Sequence, residues 1–145
     1  MLLNRKELKI FLTFWFIYVI FAGGAGWNEN STLDMTKAMV DGHTFKIDSL
    51  SNNTNDVIYY KGNYYADKVP GLPILAVPVY FVYKQVFGNV DFPKGLELAN
   101  FPKSYLMLIF LCIMLITAPA GALTVVLVYR ISKYFTKKEL HKNAA

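Results

Sequence analysis

The chain has few charged residues, few histidines and a single cysteine, and each shortage excludes a class of protein. Charged residues make up only 17% of its 145 residues, whereas soluble domains carry about a quarter. Cys112 has no second cysteine to pair with, so a disulfide-stabilised scaffold is excluded. His43 and His141 have no partners at metal-ligand spacing, so neither a metal site nor a cofactor is expected.

Apolar and aromatic residues, by contrast, are abundant. Hydrophobic residues account for 54% of the chain and aromatic residues for 16%, which excludes intrinsic disorder. The net charge of +5 comes from basic residues that flank apolar runs instead of forming a stripe, which argues against nucleic-acid binding. The composition predicts an α-helical integral membrane protein that contacts membrane lipid.

Two apolar runs are predicted to be transmembrane helices. Residues 10–27 carry no charge and nearly cover a hydrocarbon core of about 30 Å when helical. Residues 104–129 form a longer uncharged run, in which Pro119 is expected to kink the helix or mark a tight helix contact. The first run also fits a cleaved signal peptide, because small residues follow it at positions 22–26.

A third uncharged run, at residues 69–83, is interrupted by Pro70, Gly71, Pro73 and Pro78. Proline removes backbone donors that lipid cannot replace, and short runs are more often interfacial or re-entrant than spanning. We therefore predict a helix near residues 71–87 that lies at the membrane surface.

The distribution of charge predicts the topology. Basic residues outnumber acidic ones in segments 1–9 and 130–145, whereas residues 28–103 contain seven lysines and eight acidic residues. The positive-inside rule then places both termini in the cytoplasm and residues 28–103 outside. This is the topology of a multi-pass plasma-membrane protein with two spans and an external loop.

The external loop begins with a predicted short amphipathic helix near residues 32–41. Ser31 and Asp34 fit a capping box at its start, and Gly42 is a plausible C-cap. The helix is expected to lie next to the membrane.

The middle of the external loop has strand and turn signals. Residues 44–48 alternate like a strand, and a tyrosine-rich segment is predicted to form a small β-hairpin that turns at Gly62. Asn30 and Asn52 each begin a glycosylation sequon, a short pattern that is frequent by chance.

Two residues of the external loop are candidates for chemistry. Glu29 is a carboxylate a few residues from the outer membrane face, although a solvated loop acid is the commoner explanation of such a position. Lys68 precedes the rigid Pro70-Gly71 turn, which suits an anionic phosphate. Its simpler explanation is a lysine that reaches the lipid headgroups.

The order of these parts resembles the N-terminal part of GT-C fold membrane glycosyltransferases that use polyprenyl-phosphate sugars. The similarity is greatest to the glycosyltransferase family 39 group, which includes protein O-mannosyltransferases, and it covers residues 10–135. The residues that carry it are Asn28-Glu29-Asn30-Ser31, Ala38 to Asp48, Tyr59 to Tyr65, Ala66 to Leu72, and Leu123 to Phe135.

The resemblance implies roles for five residues. Glu29 would accept the proton of the acceptor hydroxyl while that oxygen displaces the lipid phosphate with inversion. Lys68 would pair with the carrier phosphate and stabilise the leaving group, supported by Tyr65 and Asp67. Asn28 takes the place of an aspartate found in many relatives and is counted with the substrate-binding residues.

The chain departs from the family pattern in two ways. Thr32 and Val69 stand where arginine and proline are expected, and a complete enzyme has about eight or more spans, whereas this chain has two or three. We therefore expect an N-terminal fragment that is inactive alone and needs the missing transmembrane part. Two alternatives remain: a small non-catalytic protein that packs against a larger membrane partner, and a secreted domain tethered by one span.

Overall fold

The computed structural model describes the backbone of residues 3–95 and 101–143. It is mostly helical and separates into two compact units, one formed by residues 1–22 with 113–145 and the other by residues 23–112. The sequence-based segments 1–9, 28–103 and 130–145 each include residues outside the described ranges. In chain order, the elements are α1 (Arg5–Ile20), α2 (Trp27–Gly42), a 3₁₀ helix (Asp48–Asn53), β1 (Val57–Tyr60), β2 (Asn63–Ala66), α3 (Gly71–Phe87), α4 (Lys103–Cys112), a π-helical turn (Ile113–Thr117) and α5 (Ala118–Asn143).

Helix α1 is displaced toward the N-terminus from the run predicted at residues 10–27. It begins early because Asn4 caps it: the Asn4 side chain accepts from the backbone N–H of Glu7, whose carboxylate accepts from the Asn4 N–H. It ends at Ile20, before a segment that contains Gly23, Gly24 and Gly26, because each glycine disfavours continuation. The α1 helix is therefore 16 residues long.

One stretch of the described residues, Lys103–Thr136, is long and apolar enough to cross a membrane. It is continuously helical over 34 residues and includes the predicted run at 104–129. The helix predicted at residues 104–129 is therefore confirmed, and its length and apolar composition are those that a membrane span requires.

The expected perturbation at Pro119 takes the form of a π-helical turn. Proline has no N–H for the carbonyl four residues earlier, and residues Ile113–Thr117 widen into a π-helix just before it. The Trp15 indole N–H donates to the Met114 carbonyl oxygen at 2.9 Å. A side chain of α1 thus satisfies one carbonyl of the irregular turn.

In the first unit, α1 and α5 pack antiparallel. Small side chains allow close approach, and the fully buried Ala118, Ala122 and Val126 recur every four residues along α5. At the other end of the pair, the Arg130 guanidinium donates to both Glu7 carboxylate oxygens, at 2.8 and 2.7 Å. The bidentate geometry fixes the register of the two helices.

Helices α1 and α5 are in close contact at Gly121, because an added Cβ would lie 2.9 Å from Tyr18 Cε2. We expect Gly121→Leu to lower the free energy of unfolding by about 1–3 kcal/mol through overpacking. Denaturant titration in detergent measures this, with Ala120→Leu on the exposed side of α5 as the matched control. Tyr18→Ala should recover part of the loss, and equal effects of Gly121→Leu and Ala120→Leu would contradict the contact.

The second unit has its apolar core under the hairpin. Met35 and Ala38 of α2 pack with Ile47 and Ala66, and Met39, Leu50 and Val57 pack against this cluster. The Thr36 hydroxyl of α2 lies 3.2 Å from the Pro73 carbonyl oxygen of α3 and also donates to Thr32 of its own helix. Helix α2 therefore joins the hairpin to α3.

The small hairpin and the third apolar helix confirm two predictions. Strands β1 and β2 pair antiparallel, with Tyr59 opposite Tyr64. Lys61 and Gly62 both have positive φ, the twist-compatible geometry of a two-residue hairpin turn. Helix α3 covers residues 71–87 as predicted and continues through Pro78.

Other local predictions for the second unit were wrong. Helix α2 begins at Trp27 instead of near residue 32. Its N-cap is Gly26, which has no side chain to accept a capping hydrogen bond. Ser31 and Asp34 do not form a capping box, because both lie inside the helix and are turned toward other elements. Gly42 is the last helical residue, and His43 with φ 50° is the C-cap.

Residues 44–48 do not form a strand. They contribute one bridge, between Lys46 and Tyr65, before the 3₁₀ helix begins. The Tyr64 N–H donates to the Asp48 carboxylate, which supplies a partner that a third strand would otherwise provide.

Candidate functional site

Glu29 lies in the first turn of α2 and is half-buried. A carboxylate at this position is favoured by the helix dipole. One of its oxygens lies 3.0 Å from the position of a Cβ added at Gly26, so the carboxylate folds back over the start of the helix. Within the described residues the Glu29 side chain makes no hydrogen bond or ion pair in this structure.

A buried polar layer lies beneath that first turn, and we call it the Asp34 layer. It consists of Asn30, Asp34, Asn53 and Tyr105, each at most 3% exposed. The Asn30 amide donates to the Asn53 carbonyl at 2.7 Å and accepts from the Tyr105 hydroxyl at 2.8 Å. The Asn53 amide donates to Asp34 Oδ1 at 3.2 Å. These bonds join α2 to the 3₁₀ helix and to α4.

Asp34 has an unusual environment for a carboxyl group. Burial raises its pKa to about 7, against the smaller opposing effects of the Asn53 hydrogen bond and the Lys37 charge. Its second oxygen, Oδ2, is buried and has no hydrogen-bond partner. The carboxyl group therefore changes its protonation state near neutral pH.

Lys68 lies after β2 and is already paired. Its Nζ is 3.0 Å from an Asp56 carboxylate oxygen and 3.1 Å from one of Asp67. The hydrogen bonds to Asp56 and then Asp67 raise the pKa of Lys68, so the group is cationic at neutral pH. A phosphate that approaches Lys68 would compete with these two carboxylates.

Asp56 connects the Lys68 turn to α2. Its carbonyl oxygen accepts from the Ser31 hydroxyl at 2.9 Å and from the Asp67 N–H at 3.2 Å. Among the described residues, Glu29 and Lys68 do not form a hydrogen bond or an ion pair with each other. Ser31, which binds Asp56, lies only two residues after Glu29 in α2. The structure therefore attaches both predicted chemical groups to the same helix.

The other two predicted substrate-binding residues, Tyr65 and Asn28, make few polar contacts. Tyr65 is half-buried in β2, opposite Ile58 in the strand register. Asn28 is exposed, and its carbonyl oxygen accepts from the Thr32 hydroxyl. Asn30 is buried with both its amide atoms bonded, whereas Asn52 is exposed on the 3₁₀ helix.

A second polar cluster, missed in the sequence, fastens α2 to α3. The Asp41 carboxylate accepts from Lys37 and Lys84, each at 2.7 Å, and from the Tyr80 hydroxyl at 2.9 Å. Desolvation raises the pKa of Asp41, but these hydrogen bonds outweigh it and hold the pKa at about 2. The stabilisation from this cluster is present above the usual carboxyl range and is lost as the pH falls toward 2.

The sequence also gave no direct sign of the Asp34 layer. Tyr105 belongs to a run interpreted as lipid-facing, and residues 30–36 are all buried although helical periodicity predicts a single buried stripe. The useful signal was the pair Asn30 and Asp34, polar residues one helical turn apart on α2.

The described residues contain no group of three or more histidine, cysteine, aspartate or glutamate side chains that could hold a metal ion. Comparison of the chain with protein-family models, curated proteins and solved structures finds no match.

Proposed function

We propose that the chain is a membrane-anchored part of a glycosyltransferase that transfers a sugar from a polyprenyl-phosphate donor to an external acceptor. The observation that carries the proposal is the Glu29 carboxylate, which has no partner among the described residues. Lys68 is the second residue on which the proposal depends. It pairs with the Asp56 carboxylate, and the Asp56 carbonyl binds Ser31 of the same helix. Around them the chain supplies a folded unit whose two ends both lead into apolar helices.

The membrane placement is supported by apolar side chains on the outer faces of the first unit. On α5, Leu123, Leu127 and Val128 are 45–59% exposed, and on α1 Leu12, Phe16 and Ile20 are 48–60% exposed. Exposed apolar surface of this extent is typical of contact with lipid or with a membrane partner. We propose that both termini are cytoplasmic and that residues 28–103 lie outside the plasma membrane.

Helix α3 supports an interfacial position for the second unit. Pro73, Ala76, Tyr80 and Tyr83 form its buried face. The opposite face is a helical stripe of exposed apolar side chains: Ile74, Leu75, Phe81, Val82 and Val86. Its 17 residues would span about 25 Å, which is short of the hydrocarbon core, so the helix would lie on the membrane.

The proposed chemistry uses the two groups separately. Glu29 takes the proton of the acceptor hydroxyl as that oxygen bonds to the anomeric carbon, and the carbon–phosphate oxygen bond breaks with its electron pair leaving on the phosphate. Lys68 donates hydrogen bonds to that phosphate and offsets its charge. Lys68 gives up a contact with Asp56 or Asp67 when the phosphate binds.

Two measurements test the proposal. The first is to read the DNA that follows the Ala145 codon, where an in-frame or adjacent reading frame for several more spans is expected. The second is to reconstitute the chain with those spans and follow transfer of radiolabelled hexose from a polyprenyl-phosphate donor. We expect turnover with the spans and none from the purified chain alone. Absence of further spans, or absence of transfer from the reconstituted protein, would overturn the proposal.

In that reconstituted enzyme, Lys68→Met is expected to raise the KM for the lipid donor about tenfold or more. The reason is that a charge-assisted hydrogen bond to the phosphate, worth about 1.5–3 kcal/mol, is lost. Lys46→Met, which removes an exposed lysine of the same unit, is the matched control. An unchanged KM in Lys68→Met would remove Lys68 from the donor site.

A non-catalytic protein that packs against a larger membrane partner is the second candidate. Gly23 and Gly24 favour it, because a Cβ added at either position meets no atom within 4 Å and the backbone is open to a neighbour. Gly121, in contrast, is already in contact with Tyr18. Loss of a partner complex in Gly23→Leu or Gly24→Leu, with no effect of Glu29→Gln or Lys68→Met, would favour this candidate.

A further inference from the structure

Asp34 Oδ2 is the one buried side-chain polar atom in the described part of the chain that lacks a hydrogen-bond partner. The rest of its surroundings is satisfied. Besides the bonds of the Asp34 layer, the Thr54 hydroxyl donates to the Trp27 carbonyl at 2.8 Å. A buried oxygen without a hydrogen-bond partner destabilises the folded state, and ionisation of the same carboxyl group increases that cost.

The charged and titratable groups around Asp34 do not neutralise it. On its own helix, Lys37 acts only at a distance, because its Nζ is bound to Asp41. From the 3₁₀ helix it receives only the neutral amide of Asn53, and α4 contributes the Tyr105 hydroxyl, which is bound to Asn30. No described cation is within ion-pairing distance of the Asp34 carboxylate.

The Asp34 layer holds the first turn of α2 from two sides. Asn53 donates to Asp34 through its side chain and accepts from Asn30 through its backbone carbonyl, so one residue of the 3₁₀ helix binds two turns of α2. Thr54, the next residue, binds the backbone of Trp27. Glu29 lies between Trp27 and Asn30, within the part of α2 that these bonds hold.

Protonation and ionisation of Asp34 have opposite effects on this arrangement. The neutral acid can remain buried with the Asn53 hydrogen bond alone. The anion, buried and without a cation, is stabilised only by a rearrangement that admits water. The contacts of Asn53 and Thr54 with α2 lie next to Asp34 and would be lost in such a rearrangement.

We propose that Asp34 is a positioning residue whose protonated form fixes the first turn of α2, and with it Glu29, against the 3₁₀ helix, and whose ionisation loosens that turn. The effect of Asp34 on the first turn of α2 does not depend on any catalytic activity. The consequence for Glu29 rests on the proposed glycosyltransferase function and names one way in which the reaction would respond to pH.

Hydrogen exchange of the purified chain in detergent tests the fastening. Protection factors, which are corrected for the pH dependence of intrinsic exchange, are measured between pH 5.5 and 8.5 for the amides of residues 30–34, the first hydrogen-bonded amides of α2. We expect protection to fall about tenfold or more across this range in the unsubstituted chain and to stay constant in Asp34→Asn. Asp91→Asn, an exposed carboxylate of the same unit, should behave like the unsubstituted chain.

Two outcomes would overturn the proposal: constant protection in the unsubstituted chain, or a fall of the same size in Asp34→Asn. If Asp34→Asn does not fold, carbon NMR of chain labelled at the aspartate carboxyl carbons gives the answer without a variant. One aspartate signal should then titrate near neutral pH together with the loss of protection, and its absence would reject the proposal.

The reconstituted enzyme separates this inference from the proposed function. If it transfers sugar, kcat/KM should fall on the alkaline side in the unsubstituted protein, and this limb should be absent from Asp34→Asn. A pH-dependent loss of protection without any transfer would retain the positioning role and reject the glycosyltransferase. Transfer with the same alkaline limb in Asp34→Asn would reject the positioning of Glu29.

Discussion

Asp34→Asn is expected to make the chain more stable at pH 8 and to remove a large part of the pH dependence of its stability. The pKa of Asp34 is about 7 in the folded chain, against an ordinary value of 3.8. Between these values the folded state keeps a proton that the unfolded state has released, so stability is full below about pH 4 and falls as the pH rises to about 7. The difference of about three pKa units corresponds to about 4 kcal/mol, which asparagine does not lose because it stays neutral.

Denaturant unfolding in detergent at several pH values between 4.5 and 8 measures this effect. The unsubstituted chain should lose stability steadily over this range, and Asp34→Asn should lose much less. Asp91→Asn serves as the control, because Asp91 is exposed and carries the same charge change. Parallel curves for the unsubstituted chain and Asp34→Asn would show that Asp34 is ionised and satisfied in the folded state.

Glu29→Gln should abolish most of the activity of the reconstituted glycosyltransferase. Glutamine keeps the shape and hydrogen-bonding length of glutamate but cannot accept a proton, and loss of a general base lowers kcat by about 10²–10⁴-fold. The KM for the lipid donor should change little, because Glu29 acts on the acceptor hydroxyl. Steady-state transfer rates with a radiolabelled donor provide the measurement.

Asp91→Asn is the control that separates loss of the general base from loss of a negative charge. Both substitutions remove one negative charge from the second unit, and only Glu29 lies at the start of α2. Equal activity of Glu29→Gln and Asp91→Asn would exclude Glu29 as the base. A loss in both would indicate an effect of net charge on the unit.

The features that were predicted well are those fixed by neighbouring residues. The hairpin needed only Lys61-Gly62 between two tyrosine-rich runs, because the turn requires positive φ at two successive residues. The start of α3 followed from the Pro70-Gly71 turn before it, and the structure ends the helix at Phe87 with Gly88 as its C-cap. Local chemistry decided both elements.

The errors are concentrated in α2, where local and tertiary signals conflict. Ser31 and Asp34 have the spacing of a capping box, yet Ser31 binds the Asp56 carbonyl and Asp34 faces Asn53. Contacts between residues more than 15 positions apart outweighed a cap worth about 1 kcal/mol. The helix therefore begins five residues earlier than predicted and takes Glu29 into its first turn.

By itself, the sequence determined the helical membrane-type composition, the long apolar helix, the hairpin and α3. Each of these follows from composition or from residues adjacent along the chain. Only the tertiary structure decided that Lys68 is held by two carboxylates, that Arg130 binds Glu7, and that Asp34 is buried without a cation. The physical reason is that burial and charge pairing depend on which elements pack against one another. That packing involves residues far apart along the chain and does not follow from local sequence patterns.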